Sequence, residues 1–191
     1  MTVLHADEIR ARVEADFDRI VDVLNKKIAL QSISAKGITA DHMKQSAQFV
    51  AEELNKVGVD AHVVQSHNPD GTPGAWEVIG SKIVDIDAPT VLLYAHHDVQ
   101  PVPDASVWNT DPFVGTVIDT RLYGRGAADD GVGDLILVSS QQQLQHGALR
   151  SRPFGRFSFS YTCIQLYLFL SIAATRKFLQ FQTLTYCALY F

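Results

Sequence analysis

The chain has 191 residues, of which 47% are apolar, and a formal net charge of −5. This length suits one ordinary domain or one and a half small ones, and the acidic balance gives no reason to expect nucleic acid as a partner. The two cysteines, Cys163 and Cys187, fit neither a metal-ligand spacing nor a dense disulfide framework, so a reducing, cytoplasmic compartment is expected.

Two amphipathic helices are predicted at the start of the chain. The first has Asp7 as its expected N-cap, and the charged segment around it predicts no signal peptide. Its apolar stripe recurs at spacings of three and four: Ile9, Val13, Phe17, Ile20, Val21, Leu24 and Ile28. The second helix is predicted from about Asp41 to Val57, with Gly58 as its stop. Its predicted inner face consists of Met43, Ala47, Val50, Leu54 and Val57.

A change to strand-like patterns follows the second helix. Strands are predicted over residues 60–66, 75–79 and 90–95, of which the third is expected to be the more buried, and over 116–123 near a sheet edge. A glycine-rich loop over 124–133 precedes a predicted helix over 134–145. This order of elements predicts an α/β protein, with helices packed on a mixed sheet.

The charge pattern divides the chain. All 21 acidic residues lie at or before Asp134, so the first 134 residues, with 11 basic side chains, carry a formal charge of −10. We therefore treat residues 1–146 and the aromatic-rich, acid-free tail 147–191 as separate parts. The most apolar window of the tail, 161–174, is shorter than the roughly 20 residues that cross a bilayer, and no membrane span is expected.

Two ionisable side chains, His96 and Asp98, stand where the third predicted strand ends. Sites in open α/β sheets form at the carboxyl ends of strands. In extended backbone these two residues point to the same side, and His97 between them points to the other. The pair suits a metal-bound imidazole oriented by a carboxylate, and it equally suits a neutral surface cluster.

The glycine-rich loop contains adjacent carboxylates, Asp129 and Asp130. Such a pair repels itself unless positive charge is near, which a divalent metal would supply, and a carboxylate can bridge two ions. The alternative is an exposed turn in which Asp130 caps the next helix. Trp108 and the Pro112-Phe113 pair between the two motifs could line a substrate pocket or pack under a loop.

The stretch LLYAHHDVQPVPDASVWNTDPF (92–113), followed by RLYGRGAADD (121–130), resembles the di-zinc metallopeptidase family. That family includes carnosinase-type dipeptidases, aminoacylase, acetylornithine deacetylase and succinyl-diaminopimelate desuccinylase. The VQP after Asp98 and the paired aspartates are most similar to the dipeptidase branch. The resemblance covers roughly residues 7–144, so the expected fold is the N-terminal part of a zinc-peptidase-like catalytic domain.

The resemblance implies roles for three residues. His96 and Asp129 would be zinc ligands, and Asp129 would bridge two zinc ions. Asp98 would be the catalytic residue that orients the His96 ring. The Asp129–Asp130 peptide bond would be cis, as in the family. The zinc ions would polarise the scissile bond of a small peptide substrate and activate a water.

The same resemblance identifies what this sequence lacks. The family requires a Glu-Glu pair after the bridging aspartate, a further acidic ligand and a distant histidine, but no Asp or Glu follows Asp134 and no His follows His146. Its lid and dimerisation domain has no counterpart here. We therefore expect a zinc-dependent dipeptidase fragment that is inactive as this chain and binds zinc weakly at most. A shifted reading frame would produce such a tail. The alternative is a non-catalytic binding or membrane-associated protein derived from the same domain.

Overall fold

A computed structural model provides the structure, and it describes residues 6–83, 90–133, 135, 138 and 156–162. In chain order the helices are α1 (Ala6–Ala15), α2 (Phe17–Ala29) and α3 (Asp41–Lys56). The strands are β1 (Asp60–His67), β2 (Pro73–Ile83), β3 (Thr90–His96), β4 (Thr116–Ile118), β5 (Arg121–Tyr123) and β6 (Arg156–Thr162).

The first predicted helix is divided in two at Asp16, whose carboxylate accepts a hydrogen bond from Arg19 Nε at 2.7 Å. The prediction of one continuous apolar stripe was therefore wrong in its first half. Val13 and Phe17 are 43% and 56% exposed, whereas Val23, Leu24 and Ile28 of α2 are buried. Asp7 lies within α1 rather than at its N-cap, because α1 already includes Ala6.

Helix α3 confirms the second predicted helix, and all five residues of its predicted inner face are buried. Gly58 follows it with a φ of 74°, in the left-handed region that a terminating glycine adopts. The inner face also carries Ser46, which is fully buried and was not among the predicted core residues.

The main sheet has four strands in the order β1-β2-β6-β3. Strands β1 and β2 pair antiparallel, β2 pairs antiparallel with β6, and β6 pairs parallel with β3. The mixed α/β architecture confirms the predicted fold class. Strand β2 extends well beyond the predicted residues 75–79 on both sides.

The two faces of the main sheet differ in burial. One face joins α3 in a core that includes Ala61, Val78 and Ala95. On the other, Ile79, Leu92 and Tyr94 are 51%, 65% and 57% exposed. The expectation that residues 90–95 form a more buried strand than the two before it was therefore wrong, because alternate side chains of β3 lie on a face that the described residues leave open.

Residues 116–123 form a hairpin of β4 and β5 in a separate two-stranded sheet, rather than the single predicted strand. The chain turns at Asp119, whose φ is 55°. Aspartate tolerates this left-handed backbone better than most residues, but a lone Asp-Thr step is a weak turn signal in the sequence. The helix predicted over 134–145 lies mostly outside the described residues, although Leu135 and Val138 are helical and buried.

The acid-free tail contributes β6, which lies between β2 and β3 in the main sheet. The rest of the apolar window 161–174 lies outside the described residues after Thr162. Among the described residues, no helix is both long and apolar enough to span a lipid bilayer.

Candidate metal centre

His96 is the last residue of β3, and its ring lies between two carboxylates. Nδ1 lies 3.2 Å from Asp98 Oδ1, and Nε2 lies 3.0 Å from Asp129 Oδ1. The Asp98 side chain is 2% exposed, whereas that of Asp129 is 83% exposed. Asp98 is thus a buried acceptor behind the ring, and the opposite edge of the ring faces a carboxylate that is open to solvent. The predicted same-side placement of His96 and Asp98 is confirmed.

The loop that carries Asp129 turns sharply beside the strand end. The Asp129–Asp130 peptide bond is cis, as the resemblance implied, and Gly131 N donates to Gly126 O at 2.9 Å. Asp130 Oδ2 accepts a hydrogen bond from the backbone N–H of His96 at 3.2 Å. The two adjacent carboxylates therefore both reach His96, Asp129 at the ring and Asp130 at the backbone.

The electrostatics of His96 follow from these neighbours. Burial alone would lower the pKa of His96, but the hydrogen bond to Asp98 and the charges of Asp98, Asp130 and Asp129 raise it to about 9. Three carboxylates around one imidazole form a site that favours positive charge, whether a proton or a metal ion carries it.

His97 points away from this site, as the strand alternation predicted, and its side chain is fully buried. Nε2 lies 2.9 Å from the carbonyl oxygen of Trp76, and Nδ1 lies 3.1 Å from Ser46 Oγ. Burial lowers the pKa of His97 to about 4, so the ring is neutral at physiological pH. The contact between His97 and Ser46 was not predicted, although a serine on the inner face of α3 is a sequence signal for a buried polar partner.

The donors around His96 match zinc in kind but not in number. Imidazole nitrogen and carboxylate oxygen are both common zinc ligands, and His96 Nε2 and the Asp129 carboxylate face each other. A catalytic zinc typically has three protein ligands and a water. Within the residues that the structure describes, no group of three His, Cys, Asp or Glu side chains is arranged to hold one metal ion.

The aromatic segment between the two motifs contacts the glycine-rich loop. The Arg125 guanidinium lies 5.3 Å from the centre of the Trp108 ring, and Arg125 N donates to the carbonyl of buried Pro112. These contacts favour packing over the alternative of a pocket wall. Two other histidines have partners outside the site: His42 Nε2 lies 3.1 Å from Ile33 O, and His62 Nε2 lies 3.1 Å from Asp60 Oδ1.

Comparison with known proteins supports the same relationship. Residues 92–154 match the model of the family described as Peptidase family M20/M25/M40. The chain is 33% identical over 129 residues to a Cys-Gly metallodipeptidase of Schizosaccharomyces pombe. The aligned region covers 65% of this chain and 27% of the relative. It is 37% identical over 112 residues to a cysteinylglycine-S-conjugate dipeptidase of Corynebacterium striatum. Here the aligned region covers 59% of this chain and 24% of the relative. The chain thus spans about a quarter of the length of these curated relatives.

Solved structures share the fold. Human carnosine dipeptidase 1 superposes with a TM-score of 0.67 at 24% identity, over 82% of this chain and 34% of that one. An M20 family metallo-carboxypeptidase from Sulfolobus solfataricus superposes with a TM-score of 0.59 at 27% identity, over 74% of this chain and 30% of that one. The matches confirm the resemblance to metallopeptidases and its restriction to part of their length.

Proposed function

Because this chain is related to peptidase family M20/M25/M40, we propose that it carries part of the zinc centre of a dipeptidase that hydrolyses small peptides. In this proposal His96 and Asp129 are zinc ligands and Asp98 is the residue that orients His96. The observation that carries the proposal is the line of contacts from buried Asp98 through both nitrogens of His96 to exposed Asp129.

The residues around His96 would have different roles at the zinc site. Asp98 would accept a hydrogen bond from Nδ1–H of His96, which leaves Nε2 as the nitrogen available to a metal and raises its basicity. Asp130 fixes the backbone of His96, and Asp129 presents its carboxylate to solvent on the open side of the ring. Bound zinc would supply the Lewis acidity that such peptidases use on the scissile bond.

We further propose that residues 1–191 alone do not catalyse hydrolysis. Two zinc ions that share one bridging carboxylate need about five protein ligands, and His96 and Asp129 supply two. The chain also has no Glu or Asp after Asp134 to act as general base, a role worth roughly 10²–10⁴-fold in rate.

Zinc titration calorimetry tests the ligand assignment. We expect a weak zinc site that is lost in both His96→Ala and Asp129→Ala. His62→Ala is the matched control, because His62 pairs with exposed Asp60 outside the site. Zinc binding that survives His96→Ala would contradict the assignment.

A dipeptide hydrolysis assay tests the proposal that residues 1–191 alone are not catalytic. With zinc added, residues 1–191 should release no more product from simple dipeptides than a chelator-treated sample does. Turnover that the chelator and His96→Ala both abolish would show that the chain is a complete enzyme.

The division of the chain belongs to the same proposal. Residues 1–146 would be the catalytic-domain part, and the acid-free residues 147–191 would be foreign to the family in sequence, although β6 within them pairs in the main sheet. A cytoplasmic location is proposed from the sparse cysteines, and cell fractionation tests it.

A further inference from the structure

The carbonyl of the His97–Asp98 peptide group lies between two buried serines. Ser32 Oγ donates to the His97 carbonyl oxygen at 2.7 Å, and Ser46 Oγ lies 3.1 Å from the same oxygen. Ser32 and Ser46 are 1% and 0% exposed. Ser32 follows α2 and Ser46 lies on α3, so two separate segments converge on one carbonyl that lies between the candidate ligand and its orienting carboxylate.

The His97 ring completes the arrangement. The Trp76 carbonyl can only accept, so Nε2 of His97 carries the proton and donates to it across 2.9 Å. A neutral ring then leaves Nδ1 as an acceptor, 3.1 Å from Ser46 Oγ. The single hydroxyl proton of Ser46 lies between two acceptors, the His97 carbonyl oxygen and Nδ1 of the His97 ring, each 3.1 Å from Oγ. The buried polar groups of this cluster are mutually satisfied.

The chain is fixed again immediately beyond Asp98. Val99 N donates to the Ser32 carbonyl at 2.8 Å, and Ile33 and Val99 form a parallel β-bridge. Ser32 therefore holds the segment at two points, through its hydroxyl at His97 and through its carbonyl at Val99. The backbone on both sides of Asp98 has little freedom, and Asp98 sets the orientation of the His96 ring.

We propose that Ser32, Ser46 and His97, named here the His97 cluster, are positioning residues for the metal centre. They hold the His97–Asp98 peptide group so that the Asp98 carboxylate meets Nδ1 of His96 and directs Nε2 towards Asp129. The inference rests on the proposed function for its purpose, but the geometry it describes exists without metal. Residues that orient a metal ligand typically affect metal affinity by about 10–100-fold.

A purely structural role for the cluster predicts a different result, in which its loss lowers stability without changing the orientation of His96. The two roles are separated by a variant that loses stability elsewhere in the same core. Val57→Ala serves as that control, because Val57 is buried in the α3 core and lies about 16 Å along the helix from Ser46.

The test is the set of side-chain ¹⁵N shifts of His96, read from a long-range ¹H–¹⁵N correlation spectrum of the metal-free full chain. In Ser32→Ala and Ser46→Ala, the Nδ1 and Nε2 shifts should move towards those of a free, exposed histidine. In Val57→Ala they should remain as in the parent, although its melting temperature falls. Parent-like shifts in both serine variants, or an equal change in Val57→Ala, would overturn the proposal.

Zinc titration of the same variants is the second measurement. We expect about 10-fold or greater weakening in the serine variants and less than about twofold change in Val57→Ala. Parent-like zinc affinity in both serine variants would count against the proposal. A parent chain that binds no zinc would defeat the proposed function, while the metal-free shifts would still decide the role of the His97 cluster.

Discussion

Asp130 Oδ2 accepts a hydrogen bond from the backbone N–H of His96 at 3.2 Å, while the adjacent Asp129 contacts the His96 ring. The side chain of Asp130 in the glycine-rich loop is therefore hydrogen-bonded to the backbone at the end of β3, and this contact needs no metal. One member of the carboxylate pair stabilises the fold of the site, and the other faces solvent where a ligand would bind.

This division predicts unequal effects on stability. Asp130→Ala should lower the free energy of unfolding by about 1–2 kcal/mol, because it leaves a partly buried backbone N–H without its acceptor. Asp129→Ala should cost less than about 0.5 kcal/mol, because its side chain is 83% exposed. Urea denaturation of both metal-free variants measures the difference, and equal losses would contradict it.

The buried ring of His97 gives a second prediction. His97→Leu should destabilise the chain by about 1–3 kcal/mol, since it leaves the partly buried Trp76 carbonyl without the ring N–H and Ser46 with only the backbone carbonyl of residue 97 as a partner. His62→Leu is the matched control, because the side chain of His62 is 69% exposed. If urea unfolding shows similar midpoints for both variants, the hydrogen bonds of His97 contribute little to stability.

Much of the site could be predicted from the sequence because it depends on local rules. The strand period alone placed His96 and Asp98 on one side and His97 on the other. The partners of His97 depend on tertiary contacts, since Ser46 and Trp76 lie 51 and 21 residues away in the chain. No periodicity in the sequence encodes such distances.

The fold was predictable to a similar extent. The spacing of apolar residues predicted α3 and its inner face, because that face of the helix packs against the main sheet in one core. The same rule failed in α1, where a similar stripe leaves Val13 exposed, and in β3, where an apolar run leaves Leu92 exposed. Hydrophobic sequence shows which residues can be buried, but the neighbouring elements decide which of them are.

The open face of the main sheet predicts self-association. Ile79 and Leu92 are 51% and 65% exposed on this face, and exposed apolar surface of this kind promotes association. The double variant Ile79→Lys, Leu92→Lys should reduce light scattering of the purified chain and leave its melting temperature within a few degrees. Val107→Lys, at a 74% exposed position outside the sheet, should leave scattering unchanged. Equal effects of both changes would remove the open face as the cause.

The junction between α1 and α2 predicts a pH-dependent contribution to stability. The hydrogen bond from Arg19 and its charge outweigh burial and hold the pKa of Asp16 below its usual value. A carboxylate with a lowered pKa stabilises the fold above its unfolded pKa, and this stabilisation is lost as the pH falls through the folded pKa. Asp16→Asn should cost up to about 1 kcal/mol at pH 7, because the pair is partly exposed, and less at pH 3.

Thermal melts at the two pH values measure the contribution of Asp16. Asp22→Asn is the control, because Asp22 pairs with Lys26 on the same helix with both side chains more than half exposed. A difference between parent and Asp16→Asn that grows as the pH falls would contradict the assigned direction of the pKa shift.

Gly126 predicts a link between backbone conformation and the position of Asp129. Its φ is 79°, and a Cβ added there would lie 2.3 Å from Val99 Cγ1, so alanine would meet both backbone strain and a steric clash. Gly71→Ala separates the two causes, because Gly71 has a φ of 82° and nothing within 4 Å of an added Cβ. We expect Gly71→Ala to cost about 1 kcal/mol and Gly126→Ala about 2–4 kcal/mol in urea unfolding.

Gly126→Ala should also weaken zinc binding, because the clash displaces the loop that carries Asp129, whereas Gly71→Ala should not. Equal stability losses in the two variants would show that the contact with Val99 relaxes without consequence.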